Sequence, residues 1–307
     1  MGYSRWSDDD WISHSTTTAT KPTSAIFTSS SIHSDLNPLG VVMRESRDSD
    51  LNPNSTPIIA ACDVTGSMGM ISDYMIKTGL GVLFKNILDR KPVTDPHLMI
   101  MAIGDATCDR APLQVSQFEA GMEITSQLEK VWLEGHGGGN AYESYELPWY
   151  FAANHTSTDA FEKRGKKGYL FTIGDEEPSY GVISSQVSKV IGDTPQSDIS
   201  LADMYEQVSK MYHTYHIIVA EGNHCRYRGV NHVRERWNNV IGQHAVVLDD
   251  YHKLSEVIIS IIEVNEGTDK DTVVSSWSGD TSLVVAKAVS GLVSTSKTPV
   301  NTGIVRL

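Results

Sequence analysis

The chain has 307 residues, 40% of them hydrophobic and 21% charged, with 25 Lys+Arg against 38 Asp+Glu and a formal charge of −13. That much apolar material closes a sizeable core, as one large domain with extensions or two small ones, and excludes a wholly disordered chain. The acidic balance argues against a nucleic-acid coat or an anionic-membrane binder, both of which use Lys and Arg to neutralise phosphates.

Residues 1–54 form a Ser/Thr/Asp-rich N-terminal arm with little apolar periodicity, expected to be flexible on its own. Trp6 and Trp11 stand out in it, either incidental to a solvated tail or an anchor onto a partner surface. From Pro57 onward, short apolar runs alternate with amphipathic stretches. Strands are expected at Ile58–Asp63, His97–Gly104, Leu113–Phe118, Gly168–Ile173, His216–Ala220 and Ala245–Leu248. Helical patterns run from Ser67 to about Arg90, Ala120 to about Leu133 and Ala141 to about Asn154, and begin again near Tyr180, Ser200, Val230 and Tyr251. Most strands are continuous apolar runs, which predicts an α/β fold: a Rossmann-like, open, mostly parallel central sheet with helices on both faces. Right-handed crossovers then gather every loop that follows a strand on one sheet edge, where such sheets bind ligands. This domain is expected over residues 55–267, with a C-terminal extension over 268–307. No apolar run approaches the ~18 residues of a membrane span, and the N-terminus lacks the apolar block of a signal peptide, so the expected setting is the cytoplasm.

Three loops on that edge carry chemistry. In PIIAACDVTGSMG a strand ends at Asp63, with Thr65 and Ser67 at i+2 and i+4 before a helix. Three oxygen-bearing side chains in five residues suit a hard cation such as Mg²⁺; the alternative is that Thr65 and Ser67 merely cap the helix. The segment GHGGGNAYESYE, residues 135–146, supplies Asn140, Glu143 and Ser144, and its glycines allow close backbone approach. GDEEPS follows the Gly168–Ile173 strand and places Asp175 and Glu176 at the same edge. So many carboxylates repel one another unless a cation is bound. Three scattered cysteines (Cys62, Cys108, Cys225) and histidines without paired spacing give no zinc site.

These motifs resemble the von Willebrand factor type A (vWA) family, whose metal-ion-dependent adhesion site is D-x-S-x-S plus a Thr and an Asp from two later loops. Asp63-Val64-Thr65-Gly66-Ser67 matches the first element, with Thr65 in place of the usual Ser. Asn140 stands where the family has its Thr, with Ser144 as a rival. Thr172-Ile173-Gly174-Asp175 is similar to the third element, with Asp175 displaced by one residue. The resemblance implies a metal site of Asp63, Thr65, Ser67, Asn140 and Asp175, the hydroxyls binding directly and carboxylates often acting from a second layer. Asp105, Glu143, Ser144 and Glu176 are candidates for that second layer. Mg²⁺ is the implied ion, with Mn²⁺ or Ca²⁺ as substitutes. The resemblance also implies binding rather than turnover: a scaffold or adaptor in an intracellular or viral assembly, whose protein partner completes the coordination with an acidic side chain.

An alternative of a different class is a haloacid-dehalogenase-like phosphotransferase or phosphatase. D-V-T-G-S resembles that superfamily's phosphorylated motif, with Asp63 as nucleophile and Asp105 and Asp109 holding Mg²⁺. The order of motifs argues against it, since a single helix separates the two and no Lys follows at a strand end. The stretch CRYRGVNHVRERW gathers Arg226, Arg228, Arg234 and Arg236, read as a solvated helix face with Arg–Glu pairs in preference to an RNA or acidic-segment site.

Overall fold

Strands whose residues are apolar on both sides become central only if both sheet faces are covered, and this chain covers both. A computed structural model describes residues 21–135 and 142–292, together with 9, 11 and 18. Among these residues the strands are β1 (Arg44–Ser46), β2 (Thr56–Asp63), β3 (Pro96–Ile103), β4 (Leu113–Val115), β5 (Thr156–Thr158), β6 (Gly168–Gly174), β7 (Gly181–Val182), β8 (Ile199–Ser200), β9 (Tyr212–Val219) and β10 (Ala245–Leu248). Six of them form one sheet in the order β10-β9-β6-β2-β3-β4, parallel except for β4, which runs antiparallel to β3. The open, mostly parallel α/β sandwich expected from the strand–helix alternation is therefore present.

Alternate residues of each strand feed two separate cores, as a period of two requires. Ile58, Ala60, Cys62, Phe171 and Ile217 pack with the Leu80–Arg90 and Leu254–Asn265 helices. Ile59, Ala61, Met101, Leu170 and Ile218 pack with Glu146–Asn154, Leu201–Val208 and Val230–Ile241. β2 lies between β3 and β6, so Asp63, its last residue, emerges at the middle of the loop-bearing edge, paired with Ile103.

Several boundaries differ from the sequence expectation, for local reasons. β9 begins at Tyr212 rather than His216, because Tyr212 is buried and its hydroxyl reaches Thr156 Oγ1 at 2.7 Å. The helix expected from Ser67 starts at Met70 and passes through a π-helical stretch, Met75–Gly79, before Leu80–Arg90. The helix expected from Ala120 shortens to Glu123–Leu128, and the one from Ala141 is Glu146–Asn154. A further helix, Asp159–Arg164, was not foreseen; Thr158 Oγ1 caps it by accepting the Phe161 N–H.

The described part of the arm is not loose. Phe27 and Leu36 join the first core, β1 pairs in parallel with β5, and Ser46 Oγ lies 3.0 Å from His97 Nδ1 in a buried contact. Trp11 is 9% exposed and rests on Gly81, where an added Cβ would come within 2.1 Å of the indole ring. Trp11 thus packs the arm against its own chain; Trp6 lies outside the described residues. Residues 270–292 also pack inward: Val273, Val285, Val289 and Leu292 belong to the first core. Among the described residues no helix is long and apolar enough to cross a membrane.

The Gly81 seat generates a prediction. Gly81→Val should expel the Trp11 ring and lower stability by about 1–3 kcal/mol, as overpacking does. Chemical denaturation with tryptophan fluorescence reads both effects; unchanged stability and emission would mean the indole does not sit there.

Candidate metal centre

The site begins with β2 ending in a buried carboxylate. Asp63 has no solvent exposure, and its Oδ1 accepts the Thr65 N–H at 2.8 Å and the Thr65 hydroxyl at 2.6 Å. Its Oδ2 accepts the Tyr145 hydroxyl at 2.9 Å. Ser67 Oγ donates to Asp175 Oδ1 at 3.0 Å, and Asp175 Oδ2 accepts the His224 N–H at 2.7 Å. Thr65 Oγ1 and Ser67 Oγ are 3.1 Å apart. Either hydroxyl can donate across that contact, so the pair forms one hydrogen-bonded chain from Asp63 through Thr65 and Ser67 to Asp175.

The electrostatics agree. Burial, then the neighbouring Asp175 charge, raises the Asp63 pKa well above the usual carboxylate range. Burial raises Asp175 too, against the opposing hydrogen bonds from His224 and Ser67. Glu143, in the second loop, is raised furthest of the four, by burial and then by Asp63 and Glu176. Glu176 is pushed up to about 8 by burial and then by Asp63 and Asp175. Glu143 Oε2 and Glu176 Oε2 are buried without a hydrogen-bond partner. Buried carboxylate oxygens without donors are costly in the charged form, so both groups gain from protonation or from a positive charge beside them. Among the described residues, no three His, Cys, Asp or Glu side chains alone make a group that could hold a metal ion. The donors that fit one are mixed, two hydroxyls with carboxylates, all oxygen, which suits Mg²⁺, Ca²⁺ or Mn²⁺.

The structure thus brings together Asp63, Thr65, Ser67 and Asp175, with Glu143 and Glu176 beside them. Asn140 lies outside the described residues. Ser144 Oγ is occupied in accepting the Ala106 N–H at 2.9 Å, which ties the second loop to the loop after β3. Asp105 is buried but serves a turn: its Oδ1 accepts the Thr107 N–H at 2.7 Å and its Oδ2 the Cys108 thiol at 3.1 Å. Asp109 Oδ2 accepts the Asp105 N–H at 2.7 Å. The phosphotransfer reading is not favoured by this geometry. A nucleophile needs approach, and Asp63 is wholly buried with both oxygens hydrogen-bonded.

Sequence reasoning missed Tyr145 and the roles of Trp237 and Glu177. Tyr145 links the loops: besides its bond to Asp63, it lies so close to Gly174 that a Cβ there would fall 2.0 Å from its oxygen. Trp237 donates its indole N–H to the Glu176 carbonyl at 2.9 Å and stacks on His216, with ring centroids 3.7 Å apart. Glu177 draws the basic helical segment onto the third loop, lying 3.4 Å from Arg228, 3.3 Å from Arg236 and 3.1 Å from His232. Two of the arginines expected to pair along a helix face therefore clamp the loop next to Glu176 instead.

No family model matches the chain, and no curated protein matches it in sequence. Among solved structures it is similar to the open conformation of the pilus adhesin SpaC from Lactobacillus rhamnosus GG, at 10% identity and a TM-score of 0.47, covering 71% of this chain and 31% of that one. It is similar to a von Willebrand factor type A structure from Catenulispora acidiphila, at 13% identity and a TM-score of 0.40, over 70% of this chain and 44% of that one. Proximal thread matrix protein 1 from the mussel byssus is also similar, at 11% identity and a TM-score of 0.41, over 74% and 47%. The chain spans less than half the length of each of these structures.

The carboxylate cluster fixes a pH dependence for the metal-free protein. Glu176 rises from 4.5 to about 8 on folding, so its neutral form is the one the fold favours. Its contribution to stability is complete below pH 4.5 and is lost as pH climbs through about 8. Chelator-stripped Glu176→Gln should therefore gain melting temperature over the unmodified protein as pH rises from 5 to 8, and a divalent cation should stabilise the unmodified protein more than the variant at pH 8. A difference between the two proteins that does not change with pH would contradict the buried cluster.

Proposed function

We propose that the chain is a divalent-cation-dependent protein-interaction module, with Mg²⁺ as the working ion, in which binding rather than turnover is the activity. The observation that carries this reading is the buried acidic edge, where the Thr65 and Ser67 hydroxyls lie against Asp63 and Asp175 while Glu143 Oε2 and Glu176 Oε2 have no hydrogen-bond donor. When bound, the cation would supply positive charge to a buried acidic cluster. Thr65 and Ser67 would hold it through their lone pairs, while Asp63 and Asp175 orient those hydroxyls. Tyr145 keeps the first and second loops together through Asp63.

The topology supports one candidate contact face. The loops after β2, β6 and β9 share one edge, and each leads to a large, exposed side chain: Met70 at 85%, Tyr180 at 80% and Tyr227 at 88%. Exposed aromatics and Met beside a rigid polar centre are the usual anchors of protein interfaces. The role of scaffold or adaptor in an intracellular or viral assembly is supported by the motif resemblance alone. So is the idea that a partner's acidic side chain reaches the metal.

Calorimetric titration of chelator-stripped protein with Mg²⁺, beside Ca²⁺ and Mn²⁺, tests the reading. Saturable one-site binding is expected, and Asp63→Ala should abolish it while circular dichroism shows the fold retained. Absence of binding by the unmodified chain to all three ions would reduce the loops to capped turns.

A further inference from the structure

Outside the metal edge, one stretch of this acidic chain is strongly basic. Residues 223–237 carry four arginines and a single acid, Glu235, in a chain whose formal charge is −13. They belong to two helices, Asn223–Arg228 and Val230–Ile241, joined at Gly229, whose φ of 93° lies in the region that favours glycine. Val233 and Trp237 are buried, so His232 and Arg236, one position before each and four apart, share the adjoining helix face. Three basic side chains from the two helices then meet one carboxylate. Arg228 Nη2 lies 3.4 Å, His232 Nε2 3.1 Å and Arg236 Nε 3.3 Å from Glu177. That carboxylate does not exhaust them. The Arg228, His232 and Arg236 side chains are 44%, 43% and 46% exposed, against 11% for Glu177. Neither guanidinium makes a hydrogen bond among the described residues, so their N–H donors remain open to a ligand or to water. His224, whose side chain is 10% exposed, has a buried Nε2 without a hydrogen-bond partner, 3.7 Å from the same Glu177 oxygen.

We infer that this face is a docking site for an acidic segment of a protein partner, whose carboxylates pair with Arg228, His232 and Arg236 beside Glu177. The inference shares the protein-interaction reading above and needs no cation. Glu177 shows the chemistry that the cluster accepts, since a carboxylate already sits among these groups and the guanidinium fork matches carboxylate geometry. Its single negative charge is outnumbered by the two guanidinium charges. Arg226 and Arg234 make no ion pair among the described residues and add to the local field. Aromatic anchors flank the cluster. Tyr227, between Arg226 and Arg228 in the chain, is 88% exposed; Tyr180 is 80% exposed, with its ring edge-on to Tyr142, whose backbone bridges to Glu177. Tyr and Arg together are the usual anchors of protein interfaces. A long polyanion fits less well, because a nucleic-acid strand would run beyond this one cluster over a chain of net negative charge.

Fluorescence anisotropy of a fluorescein-labelled oligoglutamate peptide, on the full chain treated with chelator, tests the site without the metal. Saturable binding is expected at low ionic strength, fading toward about 1 M salt, where the screening length is about 3 Å. Arg228→Gln combined with Arg236→Gln should weaken it about 10-fold. Lys91→Gln combined with Lys189→Gln removes the same charge elsewhere and should change it by less than about 2-fold. Glu177→Gln removes the carboxylate that competes for the cluster, so it should tighten peptide binding several-fold, with circular dichroism showing the fold retained. A cluster that only holds the third loop in place would gain no affinity from that change. No binding by the unmodified chain, equal loss in the two double variants, or unchanged binding in Glu177→Gln would overturn the site. An oligouridylate that binds as tightly as the peptide, and is lost in the same arginine variant, would overturn it in favour of a nucleic-acid surface. Because the chain is metal-free throughout, these failures leave the Mg²⁺ titration as it stands, and a failed Mg²⁺ titration leaves this site standing.

Discussion

The chain places several carboxylates under one sheet edge, inside a protein of low dielectric, with hydroxyl protons and backbone amides as their partners. Charges of one sign crowded and desolvated in this way raise one another's pKa and oppose folding unless something positive joins them. Much of the local architecture answers that constraint. The Thr65 and Ser67 hydroxyls turn their protons to Asp63 and Asp175, Tyr145 adds a third donor to Asp63, and the helix that begins at Asn223 brings the His224 N–H to Asp175. Even so, Glu143 Oε2 and Glu176 Oε2 remain without donors.

The fold explains why the loops can bear this load. β2 is flanked on both sides by long parallel strands, so Asp63 sits on the most constrained backbone of the sheet. The loop after β6 is held from outside the sheet as well, because Glu177 pairs with Arg228, His232 and Arg236, and Trp237 grips the adjacent carbonyl. These contacts keep Glu176 turned into the cluster while its neighbour faces the basic segment. One residue thus meets the acids and the next meets the cations, which separates a binding centre from its support.

The α/β architecture and the edge on which the loops meet were legible in the sequence, because apolar continuity, glycine-rich turns and strand–helix alternation are local properties. Asp63, Thr65, Ser67 and Asp175 could be named for the same reason: each closes a strand or opens a turn in a recognisable run. Tyr145 could not, since its role depends on Gly174 lacking a Cβ on a strand distant in the chain. Glu177 and the arginines were visible as charges, but their pairing bridges about fifty positions and looks from the sequence like separate solvated faces. Trp11 shows the same limit. Gly81 reads as a weak point in a helix until the indole that fills its place is seen. The start of β9 was obscured because Tyr212, His213 and Thr214 look polar, although Tyr212 and Thr214 are buried.

The central question for this molecule is whether the buried acids hold a cation. The direct measurement is the metal content of the purified chain after dialysis against Mg²⁺ at pH 8, by plasma mass spectrometry, with a chelator-treated sample beside it. One divalent ion per chain, removed by chelator and restored by dialysis, is the predicted result. A well-folded chain that carries no stoichiometric metal under these conditions would contradict it, and would mean that the cluster is kept by protonation alone.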